Sequence, residues 1–251
     1  VDLPDGATRI QVPFGARSVE LILQTSNEPA VDRVDLVVCK FVGAGGRAEK
    51  FSLHPFERLS QLRGVVCGVN PPGYGQSEGR ADLQTMVPAA HAAVDYVREL
   101  YPRCRLLLAG SSLGAAVALR VAADLKERQD DSICGLILRD PPQIYDVIMQ
   151  RFGWWTGWLP AWTVARKVPQ TLDAYASAAA CQGVPAIVLT SLADTVVPPD
   201  IQQRVLSAYA GPVQVVLLAE ANHLEPLTEQ EGAEYGRCLE RLWHNILDAR
   251  D

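Results

Sequence analysis

The segment Cys104-Arg105-Leu106-Leu107-Leu108-Ala109-Gly110-Ser111-Ser112-Leu113-Gly114-Ala115-Ala116 constrains the fold more than any other stretch of the chain. It reads as a short apolar strand, a Gly-x-Ser-x-Gly turn and the start of a helix rich in Ala, Val and Leu. A strand that runs straight into a helix must turn sharply, and the residue at the turn is held in a strained backbone conformation. Gly110 and Gly114 carry no Cβ, so strand and helix can close around that residue. The Ser112 hydroxyl is then pushed out at the carboxyl end of a sheet, and the free N–H groups of the helix start face any oxyanion forming there. Ser111 is the rival hydroxyl, but the glycine spacing selects Ser112. Gly-x-Ser-x-Gly also arises by chance in turns; the strand before it and the helix after it give it meaning here.

The rest of the chain supplies a sheet for this turn. Ala7 to Phe14 and Ser18 to Gln24 alternate apolar and polar residues around Gly15-Ala16, which predicts an antiparallel pair with one exposed face. Val34 to Val42 and Val65 to Val69 are continuous apolar runs, the mark of parallel strands buried on both faces. Between them Gly43-Ala44-Gly45-Gly46 precedes a helix-like segment from Arg47 to Leu62. Asn70 to Gly79 is a loop of turn residues, and Leu83 to Leu100 an amphipathic helix that stops near Tyr101-Pro102. The helix after Ser112 runs to about Arg128. Strands follow at Ile133 to Leu138, Pro185 to Ser191 and Val213 to Leu218, with helices at Pro199 to Ala210 and Glu229 to Ala249. Alternating strands and helices predict a mostly parallel α/β sheet of about eight strands, helices on both faces and the first strands antiparallel at one edge. The whole chain, 1–251, reads as one domain.

A serine hydroxyl needs a base to take its proton and a third group to orient that base. Of the four histidines, His54 precedes Pro55, His91 lies within a helix and His244 is near the end of the last one; each reads as a packing or surface residue. His223 alone follows a late strand directly, in a loop opening Glu220-Ala221-Asn222. A loop histidine can also simply stabilise a turn; position and elimination favour the base. Asp194 follows the strand Ala186 to Thr190 and is the candidate acid, although an Asp before Thr-Val-Val-Pro can also cap a turn. Asp140, at the end of the preceding strand, is the alternative acid.

The chain order Ser112, Asp194, His223 is the serine–acid–histidine order of the nucleophile-elbow enzymes. With the loop Asn-Pro-Pro-Gly-Tyr-Gly-Gln-Ser-Glu-Gly and the stretch Ser-Leu-Ala-Asp-Thr-Val-Val-Pro, the sequence resembles the α/β-hydrolase superfamily along essentially its whole length. It is most similar to small-cap esterases, thioesterases and serine-aminopeptidase-like hydrolases. The resemblance implies an acyl-enzyme mechanism on an ester or thioester, with amide hydrolysis or a catalytically silent ligand-binding protein as alternatives. It aligns Val42 to Glu49 with the family's His-Gly-x-Gly-Gly loop, which makes the Ala44 N–H one oxyanion donor and the Leu113 N–H the other. Val42 stands where the family has histidine, so this loop must be supported differently. The resemblance also makes residues 144–180 a cap. Four of the five tryptophans, Trp154, Trp155, Trp158 and Trp162, fall there; they line an apolar acyl pocket, pack the cap onto the core, or do both.

The net charge of −6 argues against nucleic acid or an anionic membrane as the main partner. A small-molecule acyl substrate is expected, with no metal and no organic cofactor. Membrane contact by the tryptophan segment is disfavoured, because it lacks a Lys/Arg-rich face. The six cysteines sit mostly in apolar runs, without C-x-x-C or zinc-like spacing, so reduced thiols in a cytoplasmic protein are expected. The chain begins with Val, which leaves any leader open, and the oligomeric state is not written in the sequence.

Overall fold

The computed structural model describes residues 2–26, 34–56, 63–156 and 158–248, with side chains placed throughout except at 153–156, 158 and 245–248. Among these residues eight strands form one sheet: β1 (Ala7–Phe14), β2 (Arg17–Thr25), β3 (Leu36–Phe41), β4 (Gly64–Asn70), β5 (Arg105–Ser111), β6 (Ile133–Arg139), β7 (Ala186–Ser191) and β8 (Val213–Leu218). Their spatial order is β1-β2-β4-β3-β5-β6-β7-β8. β2 is antiparallel to both β1 and β4, and every other pairing is parallel. The antiparallel edge expected from the alternating pattern is therefore a single reversed strand, with β1 running in the common direction. This is the α/β-hydrolase fold.

Seven α-helices lie among the described residues: α1 (Leu83–Leu100), α2 (Leu113–Glu127), α3 (Ile144–Thr156), α4 (Trp158–Ala165), α5 (Ala174–Ala180), α6 (Pro199–Ala208) and α7 (Glu229–Asp248). Alternate side chains of each central strand point to opposite faces, and both faces are covered, which is why β3 to β7 read as unbroken apolar runs. Val37, Cys39, Leu106 and Leu108 pack with α1, α2 and α5 on one face; Leu36, Val38, Leu107 and Ile187 pack with Tyr235, Leu239 and Leu242 of α7 on the other. α2 is built from small residues on its sheet side, with Ala115, Ala118 and Ala122 fully buried, so its axis lies close over β5.

The helix expected over Arg47 to Leu62 does not form in the described part of that segment. A single 3-10 turn spans Ala48–Lys50, and residues 51–56 are irregular. Pro55 has no N–H to give and disfavours helical geometry at His54. Residues 57–62 lie outside the described residues.

Register brings the strand ends level. Phe41 pairs with Val69 of β4 and Gly110 of β5, Ser111 with Arg139, Arg139 with Leu189, and Ser191 with Leu218. The loops after β3, β4, β5, β6, β7 and β8 consequently emerge along one edge, where sites gather in open parallel sheets.

Candidate active site

Ser112 occupies the turn between β5 and α2 with φ 52° and ψ −125°, a left-handed conformation that costs energy for a residue with a Cβ. The flanking glycines are required by contact. A Cβ on Gly110 would lie 2.1 Å from the Gly114 carbonyl oxygen, and one on Gly114 would lie 2.1 Å from that of Phe41. The Ser112 N–H donates to the Arg139 carbonyl at 2.8 Å, which ties the turn to β6. The hydroxyl does not cap α2 and makes no hydrogen bond to a described residue, His223 included.

Asp194 and His223 meet at the carboxyl ends of β7 and β8. The His223 Nδ1 lies 2.7 Å from Asp194 Oδ2, and the Asp194 side chain is fully buried. Asp194 Oδ1 accepts the Val196 and Val197 N–H groups, each at 2.8 Å, and Oδ2 also accepts from Gln202 Nε2 at 3.2 Å. A carboxylate held by this many donors is fixed in place. It assigns the Nδ1 proton to the imidazole and leaves Nε2 as the basic nitrogen. Asn222 joins the two loops: its Oδ1 accepts the N–H of His223 at 2.7 Å and of Thr195 at 3.0 Å, together with the Thr195 hydroxyl at 3.1 Å.

Asp140 is fully buried beneath the same imidazole, with Oδ2 3.9 Å from His223 Nδ1. It accepts the Ser191 N–H at 2.9 Å and the Leu224 N–H at 3.3 Å, so it braces the loops after β7 and β8. Asp140 (φ 48°) and Leu224 (φ 56°) share the left-handed backbone of Ser112; of the four non-glycine residues with positive φ among those described, three stand at this edge. Ligand atoms of Asp140, Asp194 and His223 lie within 4.8 Å of one another. All four carboxylate oxygens already accept N–H donors from the protein.

The loop after β3 packs on the elbow. A Cβ on Gly43 would lie 3.0 Å from the Ser111 carbonyl oxygen and 3.4 Å from Ser112 Cβ. Ala44 is exposed and Leu113 half-buried, and neither N–H donates a hydrogen bond among the described residues. Trp162 is 42% exposed, with the Arg166 guanidinium 4.8 Å from its ring centroid; the side chains of Trp154, Trp155 and Trp158 lie outside the described residues. α3 reaches the acid loop through Arg151, whose Nη1 donates to the Thr195 carbonyl at 3.2 Å. A cavity of about 220 Å³ opens on the α7 side of the sheet, lined by Phe41, Ser111, Ile137, Leu189 and Tyr235 among others; Ser112, Asp194 and His223 do not line it. His54 bonds the Tyr235 hydroxyl at 2.8 Å, His91 bonds Asp124 at 2.6 Å, and His244 bonds its own helix backbone at 2.7 Å. None of the three joins Asp194. Gln202 and Asn222 carried no sequence signal beyond the position of Asn222 beside His223.

An elbow serine, a buried acid and a histidine on the loops of this sheet define the class of protein: an α/β-hydrolase. More narrowly, residues 32–175, over half of the chain, match the family of serine aminopeptidases, S33, and the chain belongs to that family. Solved structures share the fold. The chain superposes on Est1E from Butyrivibrio proteoclasticus, solved with ferulic acid bound, with a TM-score of 0.70 at 16% identity, covering 95% of this chain and 99% of that one. An esterase of Pyrococcus furiosus gives 0.70 at 17% identity, over 95% and 90%. An acylaminoacyl peptidase solved with a chloromethyl ketone gives 0.70 at 14% identity, over 95% of this chain and 41% of that one.

Proposed function

We propose that the protein is a serine hydrolase of carboxylic esters or thioesters, working through an acyl-enzyme on Ser112, His223 and Asp194. The observation that carries this reading is the 2.7 Å bond between His223 Nδ1 and a fully buried Asp194 on the sheet edge where Ser112 turns. Ser112 Oγ attacks the substrate carbonyl as His223 Nε2 takes its proton. The oxyanion sits on the N–H groups of Ala44 and Leu113. His223 then gives the proton to the leaving alcohol or thiol, and a water deprotonated by the same nitrogen releases the acid. The hydroxyl, unbonded to His223 in the free protein, swings onto Nε2 when substrate closes the site. Asp194 is the acid and Asp140 the brace, because Asp194 is the nearer by 2.7 Å against 3.9 Å. Residues 144–180 act as a cap over the acyl group of the substrate. Six buried thiols suit a reducing compartment such as the cytoplasm.

Family membership favours a second reading, hydrolysis of an amide or peptide on the same triad. Parallel assays of p-nitrophenyl butyrate, a butyryl thioester and an aminoacyl p-nitroanilide separate the two. The proposal expects ester and thioester turnover to exceed amide turnover and to vanish in Ser112→Ala. Full activity in that variant overturns it, and preferential amide turnover moves the reading to a peptidase.

A further inference from the structure

The Val42 side chain, buried and apolar, can donate nothing to the loop that follows it, yet that loop runs so close to the elbow that a Cβ on Gly43 would stand 3.0 Å from the Ser111 carbonyl oxygen. Its other end is anchored on a polar cluster with no part in the triad. Asn70, the last residue of β4 and fully buried, accepts the Ala48 N–H on Oδ1 at 2.9 Å. Its Nδ2 donates to two carboxylates, Glu20 Oε2 at 2.7 Å and Glu49 Oε2 at 2.9 Å. Glu20 is fully buried and Glu49 nearly so. Glu20 further accepts the Gln76 N–H at 2.7 Å and pairs with Arg9; Glu49 lies 3.6 Å from Arg47 and 3.8 Å from Arg9. Burial pushes the Glu49 carboxyl up, and the Asn70 amide, its own backbone N–H, Arg47 and Arg9 together more than offset this, leaving it below the usual carboxylate range. Ser77 Oγ accepts the Glu20 N–H at 2.7 Å and donates to the Asn70 carbonyl at 2.5 Å. Gly75 closes over the cluster, since a Cβ there would stand 2.0 Å from Glu20 Oε2 and 2.2 Å from Asn70 Nδ2.

We propose that Asn70 is the positioning residue of the oxyanion loop: its amide, braced by Glu20 and Glu49, holds residues 43–48 against the Ser112 turn. The inference rests on the roles given above to Ser112 and Ala44. Only a planar group with one acceptor and two donors satisfies a backbone N–H and two anions at once, and asparagine is that group at this reach. Two carboxylates buried against one amide are a poor source of stability, because their desolvation opposes the attraction. They fix geometry well, since a flipped amide would turn its oxygen to both carboxylates and its NH2 to the Ala48 N–H. The loop is thereby pinned at Ala48 and pressed on the elbow at Gly43, with Ala44 between.

The test measures kcat and KM for p-nitrophenyl butyrate, and the affinity for phenylboronic acid, whose tetrahedral serine adduct carries the oxyanion. In folded Asn70→Ala, kcat falls about 100-fold, the scale of one lost oxyanion donor, KM stays within about threefold, and boronate affinity falls in parallel. Unchanged kcat, or a loss confined to KM, overturns the inference. Where Asn70→Ala does not fold, Asn70→Asp decides. It keeps the acceptor but crowds a third carboxyl against Glu20 and Glu49, with Arg9 and Arg47 the facing cations. Its kcat relative to the parent rises as pH falls and one carboxyl of the three takes up a proton able to replace the lost donor. A ratio flat with pH overturns the inference. A parent that turns over the ester without using Ser112 overturns instead the reading on which it rests.

Discussion

Asp140 and Asp194 are one strand apart, equally buried and both in reach of one imidazole, so the division of labour between them is a matter of ångströms. Asp194 holds the Nδ1 proton; Asp140 takes backbone N–H groups from the loops that carry Asp194 and His223. Replacing Asp194 by Asn presents an amide where an acceptor is needed and favours the wrong imidazole tautomer, which lowers kcat about 10³- to 10⁴-fold. Asp140→Asn keeps a carbonyl acceptor for one of the two N–H groups and retains most of the activity. Steady-state kinetics of the two variants check this, and loss confined to Asp140→Asn would reverse the assignment. At this scale chain order and strand position were enough to place three residues: Ser112 at the turn after β5, and Asp194 and His223 on the loops after β7 and β8. The sequence was silent on Asn70, Glu20, Gln202 and Asn222. Asn70 meets Glu20 across 50 residues, Asn222 meets Thr195 across 27 and Gln202 meets Asp194 across 8, all through side-chain hydrogen bonds, which leave no period in the sequence.

Elements whose identity follows from local pattern were legible. α1 matches the amphipathic stretch Leu83 to Leu100, and β8 matches Val213 to Leu218. The segment from Arg47 does not continue as a helix because Pro55 has no N–H to donate and disfavours helical geometry at His54. The reversal of β2 alone was hidden, since alternation shows that a strand has one exposed face and not which way its neighbours run. α2 offers a prediction at this scale. Helix propensity favours Gly114→Ala by about 1 kcal/mol, but the new methyl would meet the Phe41 carbonyl oxygen at 2.1 Å and its carbon at 2.7 Å, both backbone atoms. Overpacking wins, and the variant loses about 1–3 kcal/mol in urea denaturation. A rise in the midpoint would show that strand and helix are not in contact as described.

Across the molecule, both faces of the sheet are filled, and the six cysteines all lie in that filling as thiols. Burial pushes Cys104 and Cys181 up to about 12, and the neighbouring Cys67 thiol raises Cys39. Thiolate is the reactive form, so native protein resists dithionitrobenzoate at pH 8, and all six react once denaturant unfolds the chain. Fast modification of the native form would contradict the packing. No helix among the described residues is long and apolar enough to cross a membrane. The sheet and its helices deliver the loops after β3 to β8 to a single edge, where Ser112 sits on a positive-φ turn and His223 is held on Asp194.

The claim that Ser112 forms the covalent intermediate is tested most directly by mass spectrometry of the protein after reaction with a fluorophosphonate probe. One adduct per chain, mapped to the peptide carrying Ser112 and absent from Ser112→Ala, is the predicted result. An adduct on another residue, or equal labelling of the variant, would contradict it.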